Sequence, residues 1–183
     1  MVWMKNTKYG NQVAMAFTLV ELLVVISIIA ILAGMVMPMF YSSKEQARQA
    51  KAKQAVMSLE TALKSYLDTY KVWPAGFADG PIEGDLFKVL RGENPGGYNS
   101  QLIQFYEFGS TNSTETKAYD PWADPSLASA ERDKHVYQVK FDKDYDNKIT
   151  VGVQDVYRCV VVWSPGKLGV DDSGGNDDMA SWK

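Results

Sequence analysis

The stretch FTLVELLVVISIIAILA, residues 17–33, is a continuous apolar run that holds a single acid, Glu21, at its fifth position. From residue 22 to residue 43 no side chain carries a charge at neutral pH. About 20 apolar residues are enough for an α-helix to cross the hydrocarbon core of a bilayer. The run therefore predicts a membrane-spanning helix over residues 17–40.

Glu21 is the unusual residue of this run. A carboxylate inside a bilayer helix costs about 2.5 to 3.5 kcal/mol on insertion scales and normally persists only with a partner. We expect no residue within the run to pair with it. A cut between Ala16 and Phe17 would create a positive α-amino group four residues before Glu21, on the same subunit or on a neighbour, and this amine is the expected countercharge.

The string from Phe17 to Ile26 resembles the N-terminal motif of type IV pilins and of type II secretion pseudopilins. In that family a prepilin peptidase removes the leader and methylates the new amine. The resemblance implies a leader over residues 1–16, cleavage between Ala16 and Phe17, N-methylation of Phe17, and a role for Glu21 in subunit assembly. The family most often has Gly before the cut, whereas this chain has another small residue there, so cleavage is still expected.

The alternative interpretation of the run is an ordinary signal anchor or a secretory signal peptide. A secretory signal has an apolar core of about 7 to 15 residues and then a small-residue cut site, whereas this run is longer and contains Glu21. Lys5 and Lys8 precede the run, and the positive-inside rule keeps that end in the cytoplasm. We therefore expect a single-pass protein of the bacterial inner membrane, with residues 41–183 forming a head in the periplasm.

The helical pattern continues beyond the membrane segment. Charged residues such as Glu60 and Lys64 fall outside one apolar stripe with spacings of three and four. Gly34 and Pro38 predict a bend or local melting between the two halves of the helix, and the helix is expected to end before Pro74. The stripe consists of Ala52, Val56, Leu59, Leu63, Tyr66 and Tyr70.

The remaining residues predict a small α+β head. A short helix is expected over residues 84–92, with Asp85 as its cap, and residues 119–125 form a rigid structural turn with two prolines. Overall, the predicted fold is pilin-like: a long N-terminal helix packed on three antiparallel strands. The strands are predicted at residues 136–141, 149–153 and 159–163, residues 92–100 are a loop, and residues 102–108 are a strand or edge segment.

The composition of the chain limits the kinds of partner and covalent cross-link that we expect. The net charge of −3 disfavours nucleic acid. The single cysteine, Cys159, excludes an intrachain disulfide and is predicted to be a packing thiol. In the family, pilins that build long surface fibres commonly close their C-terminal region with a disulfide, whereas the major pseudopilin closes it around calcium.

Four carboxylates lie within eight residues near the C-terminus: Asp171, Asp172, Asp177 and Asp178. Calcium takes six to eight oxygen ligands and would resolve their repulsion. Residues 164–182 resemble the calcium loop of major pseudopilins, which implies Asp177 and Asp178 as ligands, with Asp171 or Asp172 joining them. Leu168 stands where the family usually has Asp, so it offers at most a carbonyl. The alternative is a solvated acidic tail.

A second acidic group comprises Asp142, Asp144 and Asp146, and it opens like an EF-hand loop. The sixth position of that loop is Asn147 rather than Gly, and the twelfth is Val153 rather than Glu. We favour a hairpin turn here and leave metal binding open.

No enzyme is predicted, because the only histidine, His135, has no recognisable nucleophile setting. The predicted function is that of a structural subunit of a type II secretion pseudopilus. Its expected partners are identical copies, minor pseudopilins, a prepilin peptidase and an inner-membrane assembly platform. Two alternatives remain: a subunit of a surface type IV pilus used in adhesion, motility or DNA uptake, and a membrane-tethered domain that never polymerises.

Overall fold

The computed structural model describes residues 17–109 and 116–183. The predicted leader, residues 1–16, lies outside the described residues. The chain divides into two units between Ser43 and Lys44. Helix α1, Leu19–Tyr70, contributes residues to both units, and each unit is considered by itself below.

Helix α1 continues without interruption across Gly34 and Pro38. Of the bend or local melting predicted there, the melting is wrong and the bend stays a prediction. The helix ends at Tyr70, where Lys71 takes a positive φ of 64° and donates its N–H to the carbonyl of Leu67 at 2.7 Å. A left-handed residue of this kind commonly closes a helix. The prediction that the helix ends before Pro74 is confirmed.

The predicted stripe forms the buried face of α1 in the second unit. Ala52, Val56, Leu59 and Leu63 are completely buried there. Glu60, which we expected outside the stripe, is also buried. It accepts hydrogen bonds from Lys64 at 2.5 Å and from Arg158 at 2.6 Å, so paired cations stabilise a carboxylate on the inner side of the helix.

The head contains a four-stranded antiparallel sheet and a separate two-stranded one. The larger sheet has the order β1, β2, β5, β6, and the smaller pairs β3 with β4. The strands are β1 Gly80–Pro81, β2 Gln138–Phe141, β3 Ile149–Val151, β4 Gln154–Val156, β5 Val160–Ser164 and β6 Met179–Ala180. In the larger sheet Gln138 lies opposite Trp163, and Trp163 lies opposite Ala180.

The α+β architecture is confirmed, but two strand predictions and one helix-cap prediction need correction. The strand at residue 149 belongs to the smaller sheet, because it turns back at once onto β4. Residues 102–108 contain no assigned strand. Helix α2, Gly84–Leu90, has no side-chain cap, because Glu83 is the N-cap residue and Asp85 lies within the first turn.

The main core joins α1, α2 and the larger sheet. Its fully buried members include Val56, Leu59, Leu63, Phe87, Leu90, Val139, Val160 and Val162. Cys159 is half-buried and packs against this core, one residue before β5 begins. Burial raises the pKa of the Cys159 thiol, as expected for a thiol that packs rather than reacts.

Candidate assembly helix and cation site

The first unit presents a continuous apolar surface. Its large apolar side chains from Phe17 to Met35 are between 45% and 82% exposed. This part of α1 is also long and apolar enough to span a membrane. Because soluble monomers rarely expose an apolar patch of this extent, lipid or other protein chains must cover it.

Glu21 closes a capping box with Thr18. Its Oε2 accepts the N–H of Thr18 at 2.9 Å and the Thr18 hydroxyl at 2.8 Å, and Thr18 Oγ1 accepts the N–H of Glu21 at 3.2 Å. The expectation that no residue in the run pairs with Glu21 is therefore wrong for hydrogen bonding. Thr18 is neutral, so the negative charge is not compensated by this contact. The Thr-x-x-Glu spacing that specifies a capping box was present in the sequence.

The proposed cleavage site lies at the edge of the described chain. Ala16 is outside the described residues, and Phe17 is the first residue described, with its side chain 77% exposed. Cleavage between the two residues, and methylation of Phe17, therefore stay predictions.

The C-terminal acidic loop runs from the end of β5 to the start of β6. It brings carboxylate oxygens of Asp172, Asp177 and Asp178 within 4.8 Å of one another. Gly166, at a φ of 69°, lets the loop backbone pack closely against Asp177, because a Cβ atom there would lie 2.7 Å from Oδ2 of Asp177. The loop therefore holds the carboxylates of Asp172, Asp177 and Asp178 close together.

The carboxylates of this loop are only partly satisfied. Asp178 is 4% exposed, and its Oδ2 accepts backbone N–H groups of Asp172 at 3.1 Å and Gly174 at 2.8 Å. Asp177 Oδ2 accepts the N–H of Leu168 at 2.9 Å. Oδ1 of each of these two acids is buried without a hydrogen-bond partner among the described residues. Buried polar oxygens normally have partners, so these two suit a hard cation.

Electrostatics favour the same interpretation. Burial raises the pKa of Asp178 to about 6, and the nearby charges of Asp171 and Asp172 add to the shift. Two lysines outside the loop donate to backbone carbonyls in this region: Lys183 donates to that of Gly174, and Lys53 donates to that of Ala180 at 3.0 Å. A bound divalent cation would supply the missing positive charge.

The predicted ligands do not all converge. Asp171 is near enough to affect Asp178 but does not belong to the group of three clustered carboxylates, and its Oδ1 accepts the N–H of Trp163 Nε1 at 2.8 Å. Leu168 reaches the cluster through its N–H, as described above. The alternative of a solvated tail does not agree with the structure, because Asp178 and Ala180 are buried and the ring of Trp182 packs edge-on against Trp163.

His135 belongs to a buried polar group, with Asp120 at its centre. The hydroxyl of Ser164 donates to Asp120 Oδ2 at 2.6 Å, and His135 Nδ1 lies 3.5 Å from Asp120 Oδ1. Because the carboxylate separates the serine from the histidine and Ser164 is fully buried, the histidine cannot activate this hydroxyl as a nucleophile. The group instead fixes the predicted turn at residues 119–125, where Asp120 also accepts the N–H of Trp122 at 2.9 Å.

Comparison with known proteins bears first on the N-terminal segment of the chain. Residues 16–37 match the family model of the prokaryotic N-terminal methylation motif. This match, together with a long helix and a small antiparallel head, defines the chain as prepilin-like.

Similar proteins identify the family within this prepilin-like class. The chain is 48% identical over 114 residues to the type II secretion system core protein G of Aeromonas hydrophila, covering 60% of this chain and 68% of that protein. It is 37% identical over 90 residues to the protein of the same name from Vibrio cholerae, covering 47% and 60%. The chain belongs to the type II secretion system core protein G family. No solved structure matches it.

Proposed function

We propose that this protein is a structural subunit of a type II secretion pseudopilus, which assembles through its N-terminal helices. The observation that carries the proposal is the uncovered apolar half of α1, which bears the methylation motif at its start. A surface of this kind needs lipid before assembly and neighbouring copies afterwards. The role of the subunit is therefore mechanical: it adds to a filament that assists export across the outer membrane.

The proposed route to the filament begins in the inner membrane. Lys5 and Lys8 precede the apolar segment and favour a cytoplasmic N-terminus, which leaves the head in the periplasm. A prepilin peptidase would cut between Ala16 and Phe17 and methylate Phe17. An assembly platform would then add the subunit to identical copies and minor pseudopilins.

Glu21 is proposed to direct this addition through its charge. The capping box binds its carboxylate but leaves the charge uncompensated, so the methylated amine of a neighbouring copy is a suitable partner. In hydrocarbon, such a contact would bring a subunit into register before its apolar surface packs.

The test uses two substitutions that separate charge from capping. Glu21→Gln keeps a side chain that can serve in a capping box but removes the charge, whereas Thr18→Ala removes the capping hydroxyl and keeps the charge. We expect Glu21→Gln to be cleaved and membrane-resident but to yield at least tenfold fewer filaments in a shearing and immunoblot assay, while Thr18→Ala retains most of them.

Ser27→Ala is the matched control, because Ser27 lies in the same apolar segment and only donates its hydroxyl to the carbonyl of Leu23. Normal filament yield from Glu21→Gln would contradict the proposed role of the charge. Loss of filaments in Thr18→Ala alone would assign Glu21 to helix capping.

Calcium binding by the C-terminal loop is the second part of the proposal. Asp172, Asp177 and Asp178 would supply carboxylate oxygens, supported by their convergence and by the unpartnered Oδ1 atoms. Asp171 would hold the loop through Trp163, and Leu168 would contribute at most a carbonyl. Calcium would thereby fix the last residues of the head.

The calcium proposal predicts a stability difference. In processed full-length protein held in detergent, calcium at about 100 times its Kd should stabilise the head by about 2.7 kcal/mol over chelator. Asp177→Asn should remove most of this gain, because it removes one charge and one unpartnered oxygen. The exposed Glu107→Gln variant is the control. An undiminished calcium response in Asp177→Asn, measured by urea unfolding, would argue against this site.

A further inference from the structure

The loop between β2 and β3 holds a second group of acids, which lies outside the C-terminal loop. Carboxylate oxygens of Asp142, Asp144 and Asp146 lie within 4.8 Å of one another. These three residues alternate along the chain, so the loop has to turn sharply to bring them together. Tyr145 and Asn147 provide this turn with positive φ values of 60° and 63°.

The lysines of this loop do not neutralise the group. Lys143 Nζ lies 3.7 Å from Asp79 Oδ1, and Lys148 Nζ lies 2.8 Å from Asp155 Oδ2, so each lysine pairs with an acid outside the cluster. Lys140, at the end of β2, donates to the carbonyl of Thr150 at 2.8 Å. Three like charges therefore stay close together although three basic residues are adjacent in the sequence.

The decisive feature is the burial of Asp142. This side chain is 3% exposed, and Oδ2 accepts the N–H of Asn147 at 2.8 Å. Its Oδ1 is buried and has no hydrogen-bond partner among the described residues. A carboxylate oxygen that is buried without a partner loses its hydration and gains nothing in return, which destabilises the folded state. Burial raises the pKa of Asp142, and the nearby Asp144 carboxylate adds to the shift.

The hairpin predicted here is wrong, because β2 pairs with β5 and β3 pairs with β4, so the two strands that flank this loop lie in different sheets. A turn without a ligand explains only part of the loop's geometry. It accounts for Oδ2 of Asp142 and for Asp146 Oδ1, which accepts the N–H of Lys148 at 2.8 Å. It gives no reason for Asp144 to approach them, nor for Oδ1 of Asp142 to be buried without a partner. Both features have one explanation if a cation lies among the three carboxylates.

We propose that Asp142, Asp144 and Asp146 form a second calcium site, separate from the C-terminal cluster. Three carboxylates at alternate positions supply hard oxygen ligands, and main-chain carbonyls and water complete the six to eight that calcium takes. Asn147 adopts the left-handed conformation for which an EF-hand uses glycine. Val153, at the twelfth position, is fully exposed and brings no bidentate carboxylate, so the expected Kd is about 10⁻⁴ to 10⁻³ M, as in extracellular modules.

The site connects two parts of the head. The hydroxyl of Tyr145, inside the loop, accepts the backbone N–H of Trp73 at 2.8 Å, just after the end of α1. The N–H of Asp142 donates to the carbonyl of Cys159 at 3.0 Å, just before β5. Calcium in this loop would therefore stabilise the segment that follows the C-terminal end of α1, whether or not the C-terminal loop is loaded.

The experiment is a calcium titration by calorimetry on chelator-treated full-length protein in detergent. The test variant is Asp144→Asn/Asp146→Asn, which changes two exposed residues and leaves the buried Asp142 in place. The control is Asp155→Asn, an exposed acid of the neighbouring strand β4. We expect two calcium ions per chain for wild type and control, and one for the test variant.

A second variant assigns the ion that is lost. Asp177→Asn should leave the weaker binding event intact, and adding Asp144→Asn/Asp146→Asn to it should raise the Kd of that event at least tenfold. The proposal is overturned if the test variant binds as many calcium ions as the control with unchanged affinity. That comparison needs only surface substitutions, and it decides the matter even if the C-terminal loop binds no calcium or the protein forms no filament.

Discussion

The two halves of helix α1 place their apolar side chains in opposite environments. In the first unit, residues such as Leu22 and Ile28 are more than half exposed, whereas in the second unit Leu59 and Leu63 are completely buried. The sequences differ in the same way: the first half is apolar on every side, and the second has a single stripe. One helix thus has a half that the chain itself covers and a half that other molecules must cover.

This difference separates two free energies. Burying a leucine side chain contributes about 1.5 to 3 kcal/mol. In the second unit that energy stabilises the folded head, whereas in the first unit it is available only when lipid or another chain arrives. Substitutions in the two halves should therefore affect different measurements.

The largest expected effect comes from making the same change in each half. Leu63→Ala should lower the free energy of unfolding of the head by about 2 to 5 kcal/mol, because it opens a cavity in the core. Leu22→Ala should leave that value within about 0.5 kcal/mol of wild type and reduce only filament yield. Urea unfolding of the protein in detergent, followed by tryptophan fluorescence, measures the first quantity.

A Leu22→Ala variant whose head unfolds as easily as that of Leu63→Ala would contradict this contrast between the two halves. The first half of α1 would then contribute to the folding of the head. Filament yield from Leu22→Ala, measured in the same preparation, shows whether the exposed surface has the predicted role in assembly.

Much of this contrast could be predicted from the sequence, because both signals are periodic. The uncharged run and the stripe of Val56, Leu59 and Leu63 each extend over several helical turns, so a few exceptions do not hide them. Glu60 is such an exception: its burial depends on Arg158, which is distant in the sequence.

The short strands could not be predicted in this way. Strands β1 and β6 have two residues each, and Gly80–Pro81 has little intrinsic preference for a strand. They exist because their neighbours β2 and β5 offer edges for pairing. Conversely, residues 102–108 have the aromatic and apolar composition of a strand but form none, and Phe105 and Phe108 pack against the core from an irregular segment.

The candidate sites were predictable to different degrees. The acids at the C-terminus form a visible cluster in the sequence, but composition does not show that the Asp171 carboxylate binds Trp163 instead of joining the other three. The buried position of Asp142 depends on the packing of the head, so its EF-hand-like spacing alone favoured a simple turn.

A second prediction concerns pH: the stability of the head should depend on pH, and the apolar half of α1 should not. Asp178 has a pKa raised to about 6 by burial, above its ordinary value of 3.8. A raised carboxyl pKa stabilises the folded state below the ordinary value, and this stabilisation is lost as pH rises through the folded pKa. In chelator, the free energy of unfolding should therefore fall by up to about 3 kcal/mol between pH 4 and pH 7 from this group.

Asp178→Asn should flatten this part of the pH profile, because the amide does not titrate. Calcium should oppose the trend, since it binds the deprotonated carboxylate. The helix signal that persists after the head unfolds in detergent should not change over the same pH range. A matching pH dependence of that signal would contradict the separation between the two halves.

The smallest expected effect tests where the head begins. Glu45, two residues after the division between the units, accepts the indole N–H of Trp122 at 3.0 Å. Glu45→Ala leaves this donor of a buried ring without its acceptor and should lower the free energy of unfolding by about 1 kcal/mol. Glu45→Gln retains an oxygen acceptor and should lose less than half of that amount. If both variants unfold like wild type, the stabilising contacts of α1 begin further along the helix, near Ala52. The part of α1 that the head buries would then be shorter than the division between Ser43 and Lys44 implies.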